Sequence, residues 1–392
     1  MIGKTTDERL SVGLDVTAIP VRTAGAGYYV LELVRALAKR DDLSLAIVTR
    51  RDDAGRWQIG EQTTTFALSP ASPPGRLVFG EIRLARSLER RAHPDVFHGP
   101  HYSLPARSSM PAVVTVHDLT LWDRPEWHDH SKVLFFRRAL RLAATRADVV
   151  IVPSTSTADA YRAHFGDEVP VRVIPHGVDH LRFTIDEPRA GSDRAVLARL
   201  GIEWPYVLFV GTNEPRKNLP SLVAAFAKIA QTLPDLRLVL AGGAGWKNDQ
   251  LDAAIAASGV ASRVLRTGYL GEGDIPALLR RAAAVAYPAF VEGFGLPALE
   301  ALSCGAPLVT SENSAMSEIT GDAALLVPPL DVNGLAEAIS TLVAGGAEVA
   351  RRRRQGIERA AGFTWQLSAA RHLEAYRLAA ERTPSRFGRG PA

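Results

Sequence analysis

The chain of 392 residues has a single cysteine, Cys304. One thiol cannot close an internal disulfide, and a zinc site built on several thiolates is excluded with it. No run of about 18 apolar residues occurs, so no membrane-spanning helix is expected. The first residues, Met1 to Arg9, are polar and lack the apolar stretch of a secretory leader. These absences together predict a cytoplasmic protein. Lysine is scarce too: it supplies six of the 46 basic residues and arginine the other 40. A GC-rich coding sequence is one source of such a bias. The bidentate fit of a guanidinium to phosphate is another. The net charge is only +4. No zinc finger or RNA-recognition signature accompanies it, so nucleic acid is not an expected partner.

What is present is enough apolar material for two cores. Hydrophobic residues make up 46%, and one core rarely grows past roughly 250–300 residues. Short apolar runs alternate with amphipathic stretches, the rhythm of βαβ units and parallel sheets. Strands are expected at 11–16, 45–48, 95–98, 112–116, 148–152 and 171–174. A second series follows at 206–210, 236–240, 263–265, 285–287 and 307–310. Near-continuous apolar strands such as Val149-Val150-Ile151-Val152 suit sheets covered on both faces. The expected class is α/β, with two Rossmann-like doubly wound domains facing a cleft. The expected boundaries are 1–180, 181–364, and a final helix and tail at 365–392, the helix ending near Ala380 and the tail from Pro384 disordered. The polar stretch from Ile174 to Pro205 reads as a linker.

Four segments carry candidate chemistry. The first runs Glu292-Gly293-Phe294-Gly295-Leu296-Pro297-Ala298-Leu299-Glu300. Pro297 suits the start of a helix, and the glycines permit close backbone approach. The free N–H groups of such a helix start can hold a diphosphate. One glutamate then precedes the helix and the other lies within its first turns. The second segment, Gly211 to Leu219, follows a strand and contains Arg216 and Lys217, fixed positive charge suited to a diphosphate leaving group. It is not a P-loop, because no Gly-Lys-Ser/Thr appears at the required spacing. The third is the glycine turn Gly25-Ala26-Gly27, which lacks the full dinucleotide fingerprint. The fourth is Thr115-Val116-His117-Asp118-Leu119 at the carboxyl end of a strand, where open α/β sheets bind ligands. His176 reads as a structural residue at the domain crossover.

With these segments, and with Val152-Pro153-Ser154, Ile174 to Asp179, Ser317-Glu318-Ile319 and Gly321 to Ala324, the chain resembles the retaining glycosyltransferases of family four. The resemblance covers about Ser11 to Phe363. It implies the GT-B architecture, a nucleotide-diphosphate sugar donor, and kinship with bacterial mannosyltransferases of surface-polysaccharide assembly. Arg216 and Lys217 resemble the basic pair on the donor diphosphate, next to the backbone of Gly293, Phe294, Gly295 and Leu296. Glu292 resembles the carboxylate near the transferred sugar, Glu300 the ribose partner, and His117 the first-domain residue facing the reaction centre. Gly25 and Gly27 match the glycine turn near donor or acceptor. Thr212 and Tyr28 stand where many members have arginine.

The resemblance implies retention of anomeric configuration. Either a carboxylate acts as nucleophile, or the acceptor attacks on the face the diphosphate leaves; the second is favoured. No Asp-x-Asp loop suited to a metal is present, so no metal and no cofactor are expected. The donor expected from the resemblance is GDP-mannose, with UDP- or dTDP-sugars open. The acceptor is a carbohydrate or lipid-linked oligosaccharide, as in O-antigen, lipopolysaccharide or exopolysaccharide synthesis. A sugar-nucleotide epimerase on the same fold is the rival enzyme. A binding or assembly subunit with a dead site is the third reading, opposed by the intact glutamate and basic pairs. The segment Lys132–Arg141, which interleaves basic residues with Phe135, Phe136 and Leu140, is the candidate contact with an anionic membrane surface.

Overall fold

The computed structural model describes residues 9–387, apart from 22, 24, 73–74, 76–78, 81–82, 106–107, 272 and 313. The chain divides into two compact units. One comprises the residues up to Gly177 together with those from Trp365 onward; the other runs from Val178 to Thr364. The division thus falls at 177/178, not 180/181, and the final helix belongs to the first unit.

The first unit has a seven-stranded parallel sheet of order β3-β2-β1-β4-β5-β6-β7. Its strands are β1 (Leu10–Asp15), β2 (Leu43–Arg50), β3 (Thr63–Ser69), β4 (Val96–Gly99), β5 (Ala112–Thr115), β6 (Val149–Val152) and β7 (Val171–Val173). β4, β5 and β6 are buried at every residue, as expected of strands covered on both faces. The chain winds outward from β1 in one direction through β2 and β3, and from β4 in the other. The β1–β4 neighbourhood is therefore the topological switch point, where such sheets leave a crevice at their carboxyl ends. The glycine turn follows β1, and the loop from Pro100 follows β4.

The second unit repeats the plan with six parallel strands in the order β10-β9-β8-β11-β12-β13. These are β8 (Tyr206–Val210), β9 (Arg237–Ala241), β10 (Val264–Gly268), β11 (Ala284–Tyr287), β12 (Leu308–Ser311) and β13 (Leu325–Val327). Here the switch point lies between β8 and β11. The basic segment follows β8 and the two-glutamate segment follows β11, so the topology alone brings them together. Both units are Rossmann-like and the class is α/β.

Two expectations are corrected. The stretch read as a linker contains a helix, Ser192–Arg199, and Phe183, Leu197 and Ile202 are in the core of the second unit. Asp193 on that helix is buried against Arg280, which donates to it bidentately at 2.8 and 2.6 Å. Burial of a charge is tolerated when it is so paired. The final helix also runs longer than expected, Trp365–Phe387, and residues 388–392 of the expected tail lie outside the described residues.

That helix is tied into the first unit by a chain of buried hydrogen bonds. His372 Nδ1 is 2.7 Å from the Ser368 carbonyl, which can only accept. The ring is therefore protonated at Nδ1, and Nε2 accepts from the Tyr29 hydroxyl at 2.9 Å. With that proton committed, the Thr115 hydroxyl donates to Tyr29 Oη (2.9 Å) and His98 Nε2–H donates to Thr115 Oγ1 (2.9 Å). His98 Nδ1 then accepts from the Tyr376 hydroxyl at 2.8 Å. Every ring nitrogen and hydroxyl of His372, Tyr29, Thr115, His98 and Tyr376 is used, as burial demands.

Candidate active site

The site in the second unit is assembled from two loops. β8 ends at Val210, and Pro215–Lys217 forms a short 3₁₀ turn closed by Asn218 in the left-handed region. β11 ends at Tyr287, and the chain then runs to Gly295, the cap of the helix Leu296–Ser303. The loops are stitched together. Phe290 N–H donates to the Arg216 carbonyl at 2.8 Å, and the Asn218 amide donates to the Pro288 carbonyl at 3.1 Å. Gly295 has φ +105°, and a Cβ there would lie 2.2 Å from Met316 Sδ. Both the backbone angle and the packing require glycine.

Arg216, Lys217 and Glu292 form one ion cluster. Arg216 reaches one Glu292 oxygen at 2.6 Å, and Lys217 Nζ donates to the other. Two residues that sequence reasoning missed complete it. Glu214 pairs with Arg216 at 2.7 Å, and the Tyr287 hydroxyl accepts from Lys217 Nζ at 2.6 Å. The Tyr287 ring stacks on Phe209 at 5.2 Å between centroids. Glu214, Lys217 and Glu292 are buried, and Arg216 keeps partial exposure. Burial raises the Glu292 carboxyl, but the Arg216 and Lys217 charges outweigh it and leave the group below its ordinary value. Burial and the neighbouring Arg216 charge pull the Lys217 ammonium down, against the opposing glutamates.

Glu300 stands apart. Its half-buried side chain makes no hydrogen bond among the described residues. Desolvation, opposed only by the Arg182 charge, pushes its carboxyl up to about 8. At the helix start the Gly295 and Leu296 N–H groups also have no partner among the described residues, so fixed donors are available for an anion. Phe294 is buried against Phe363 and serves packing.

In the first unit, Gly25 caps the helix Ala26–Leu37 with φ +48°. A Cβ on Gly27 would press on Thr23 at 3.0 Å. His117 follows β5. Its Nε2–H donates to the Pro100 carbonyl at 2.9 Å, which fixes the tautomer and leaves Nδ1 as a bare acceptor. Desolvation lowers the ring to about 4, against the Pro100 bond and the Asp118 charge, so it is neutral at physiological pH. His176 stacks on Trp365 and lies 4.4 Å from the Tyr29 ring centroid. Among the described residues no group of three or more His, Cys, Asp or Glu side chains is arranged to hold a metal ion.

Comparison with known proteins decides the family. Residues 23–182 match the family model "Glycosyltransferase Family 4", and residues 200–360 match "Glycosyl transferases group 1". The chain is 30% identical over 379 residues to O-antigen chain mannosyltransferase B of Escherichia coli, spanning 90% of this chain and 96% of that protein. The chain belongs to glycosyltransferase family 4. Other relatives within this breadth have different substrates. Glycogen synthase of Mycobacterium tuberculosis is 28% identical over 402 residues, 93% of each chain. Among solved structures, Anabaena HepE in complex with UDP and glucose shares 21% identity and superposes with a TM-score of 0.73, covering 94% of this chain and 99% of that one. The family-4 glycosyltransferase thus has the GT-B fold of two Rossmann-like domains. The family breadth establishes a glycosyltransferase, and the particular sugar and acceptor lie beyond it.

Proposed function

We propose that this glycosyltransferase moves mannose from GDP-mannose, with retention, to a carbohydrate or lipid-linked oligosaccharide acceptor in surface-polysaccharide synthesis. The observation that carries the reading is the Arg216–Lys217–Glu292 cluster, whose glutamate lies on the loop leading into a helix start with N–H groups that have no partner among the described residues. Two cations and fixed amide donors are what a departing diphosphate needs. The mannosyl donor and the surface-polysaccharide setting rest on likeness to the O-antigen chain mannosyltransferase. Glu300, without a partner, is assigned to the ribose hydroxyls, and His117 Nδ1 to a hydroxyl at the reaction centre. The acceptor oxygen attacks the anomeric carbon on the face the diphosphate leaves, and a diphosphate oxygen takes the acceptor's proton. The chain's own part is to position both substrates and to stabilise charge.

The reaction is proposed to be metal-independent, because Arg216 and Lys217 supply the charge a cation would. The test is a thermal-shift screen of GDP-, UDP-, dTDP- and ADP-sugars followed by a transfer assay in EDTA. GDP-mannose is expected to raise the melting temperature most, and transfer is expected to persist under chelation. Preference for a UDP-sugar would overturn the donor assignment. Activity lost in EDTA and restored by Mg²⁺ would overturn metal independence. An epimerised free sugar in place of a glycosylated acceptor would point to the epimerase.

No described helix is long and apolar enough to cross a membrane, so contact with a lipid-linked acceptor is proposed to be peripheral. The helix His130–Arg146 presents Leu134, 71% exposed, with Arg138 and Arg141 on one face. Arg137, expected among the contact residues, is instead spent on the Leu121 and Trp122 carbonyls at 3.3 and 2.8 Å. The triple change of Leu134, Arg138 and Arg141 to serine should abolish sedimentation with anionic vesicles at low salt. Each exposed arginine near the surface is worth about 1 kcal/mol. Wild-type protein that ignores such vesicles at low salt would sink the idea.

A further inference from the structure

The loop after β4 is more constrained than a connection between strands requires. A Cβ on Gly99 would sit 1.7 Å from the Ser103 carbonyl oxygen, so the chain doubles back on itself there. Tyr102 adopts φ +62°, a left-handed conformation that costs a non-glycine residue energy and tends to mark functional sites. Three bonds hold the turn: Tyr102 N–H to the Thr115 carbonyl (3.0 Å), Asp118 N–H to the Tyr102 hydroxyl (3.0 Å), and His117 Nε2–H to the Pro100 carbonyl. Between these anchors stands His101, packed against Tyr102 and Phe136.

His101 makes no hydrogen bond among the described residues, and its Nδ1 is buried with no partner. A buried N–H without an acceptor costs more than a buried lone pair without a donor. The proton therefore belongs on Nε2, the nitrogen that is not sealed off. Burial pulls the ring down to about 3, so it stays neutral and keeps that single proton. His117 has the opposite arrangement, with its proton spent on Pro100 and a lone pair left at Nδ1. The ring centroids are 5.6 Å apart, close enough for one oxygen to reach a nitrogen of each at about 2.8 Å.

We propose that His101 and His117 form a donor–acceptor pair that grips one hydroxyl of a sugar substrate, His101 Nε2–H donating to its oxygen and His117 Nδ1 accepting its O–H. A hydroxyl is a group that both donates and accepts through one atom, and the pair lies near the switch point of the first sheet, where ligands sit. His101 is thereby a binding residue of this enzyme. The pairing rests on the transferase reading above. The hydroxyl belongs either to the transferred hexose or to the acceptor.

The test compares wild type, His101→Phe and His101→Gln. Substrates are GDP-mannose with its monodeoxy analogues, and octyl mannoside with its monodeoxy analogues. Phenylalanine removes a buried nitrogen that has no partner, so the variant should melt at or above the wild-type temperature, whereas loss of a structural hydrogen bond would lower it. Transfer efficiency should fall about ten- to a hundredfold, and His101→Gln, which keeps an N–H donor, should recover part of it. One deoxy analogue should be used equally well by wild type and His101→Phe. Its place in the donor or the acceptor series identifies the sugar that is held. An active wild type whose His101→Phe variant loses nothing, or discriminates every analogue as before, overturns the pairing alone. A wild type that transfers nothing from GDP-mannose overturns the mannosyl-transfer reading, and the pairing with it.

Discussion

Glu292→Gln is expected to lower turnover by about a hundred- to a thousandfold while leaving nucleoside-diphosphate affinity equal to the wild type or tighter. Both cations of the site are neutralised, because Glu292 bridges Arg216 and Lys217. A diphosphate that binds there must compete with that carboxylate for the same donors. On the roles proposed above, binding exchanges one anion for another and frees Glu292 to act at the transferred sugar. Glutamine has the same shape and no charge, so it removes the competitor and the sugar-side charge together. It also leaves Lys217 buried with only Tyr287 and the more distant Glu214 to offset it, and breaking a buried pair costs about 3 kcal/mol. The ligand-free variant should therefore melt lower and recover more on adding GDP than wild type does. Isothermal titration with GDP and single-turnover transfer measure the two effects. A tenfold loss of GDP affinity with turnover intact would place Glu292 in diphosphate binding, contrary to this account.

The two halves of this cluster were readable in the sequence because local rules carry them. A glycine before a proline-led helix start, and a basic pair just after an apolar strand, each mark a strand's carboxyl end. Glu214 lay inside the same segment, two residues before Arg216, and a carboxylate beside two cations was an available signal. Tyr287 offered none, because a tyrosine ending a buried strand is read as core. The hydrogen-bond series through Tyr29, Thr115, His98, His372 and Tyr376 was out of reach for another reason. Tyr29 and His372 are 343 residues apart, and only the return of the last helix to the first sheet joins them. The supposed linker failed in the same way. Asp193 looks solvated until its partner Arg280, 87 residues on, is seen beside it. Local periodicity reports which face is buried, but it does not report which distant charge makes burial of a polar residue affordable. Edge strands were missed as well. β3 is Thr-Thr-Thr-Phe-Ala-Leu-Ser and only half-buried, so its apolar signal is weak.

Glu300→Gln is expected to weaken GDP binding about ten- to a hundredfold at pH 8.5 and hardly at all at pH 6. Burial raises the carboxyl to about 8, so near pH 7 it holds a proton that the unfolded chain, titrating near 4.5, has released. The folded state then binds more protons than the unfolded one between those values, and this group's effect on stability worsens as pH rises from about 4.5 to 8. Glutamine carries no such charge, so the variant should lose less stability over that range and melt above wild type at pH 8. Ribose hydroxyls, in contrast, hydrogen-bond best to the ionised form. With Glu300 on the ribose as proposed, nucleotide binding by wild type expels the proton below pH 8, at a cost of up to tenfold in affinity per pH unit, and the penalty vanishes above 8. The nucleotide's own phosphate also titrates near pH 6, and the variant's profile supplies the correction for it. Titration calorimetry in two buffers of different ionisation enthalpy should find about 0.4 to 0.8 of a proton released by wild type at pH 7, and less by Glu300→Gln. A wild-type affinity that stays flat from pH 6 to 8.5, or a variant equally weakened at both ends, would remove Glu300 from the ribose and leave its raised carboxyl a consequence of packing alone.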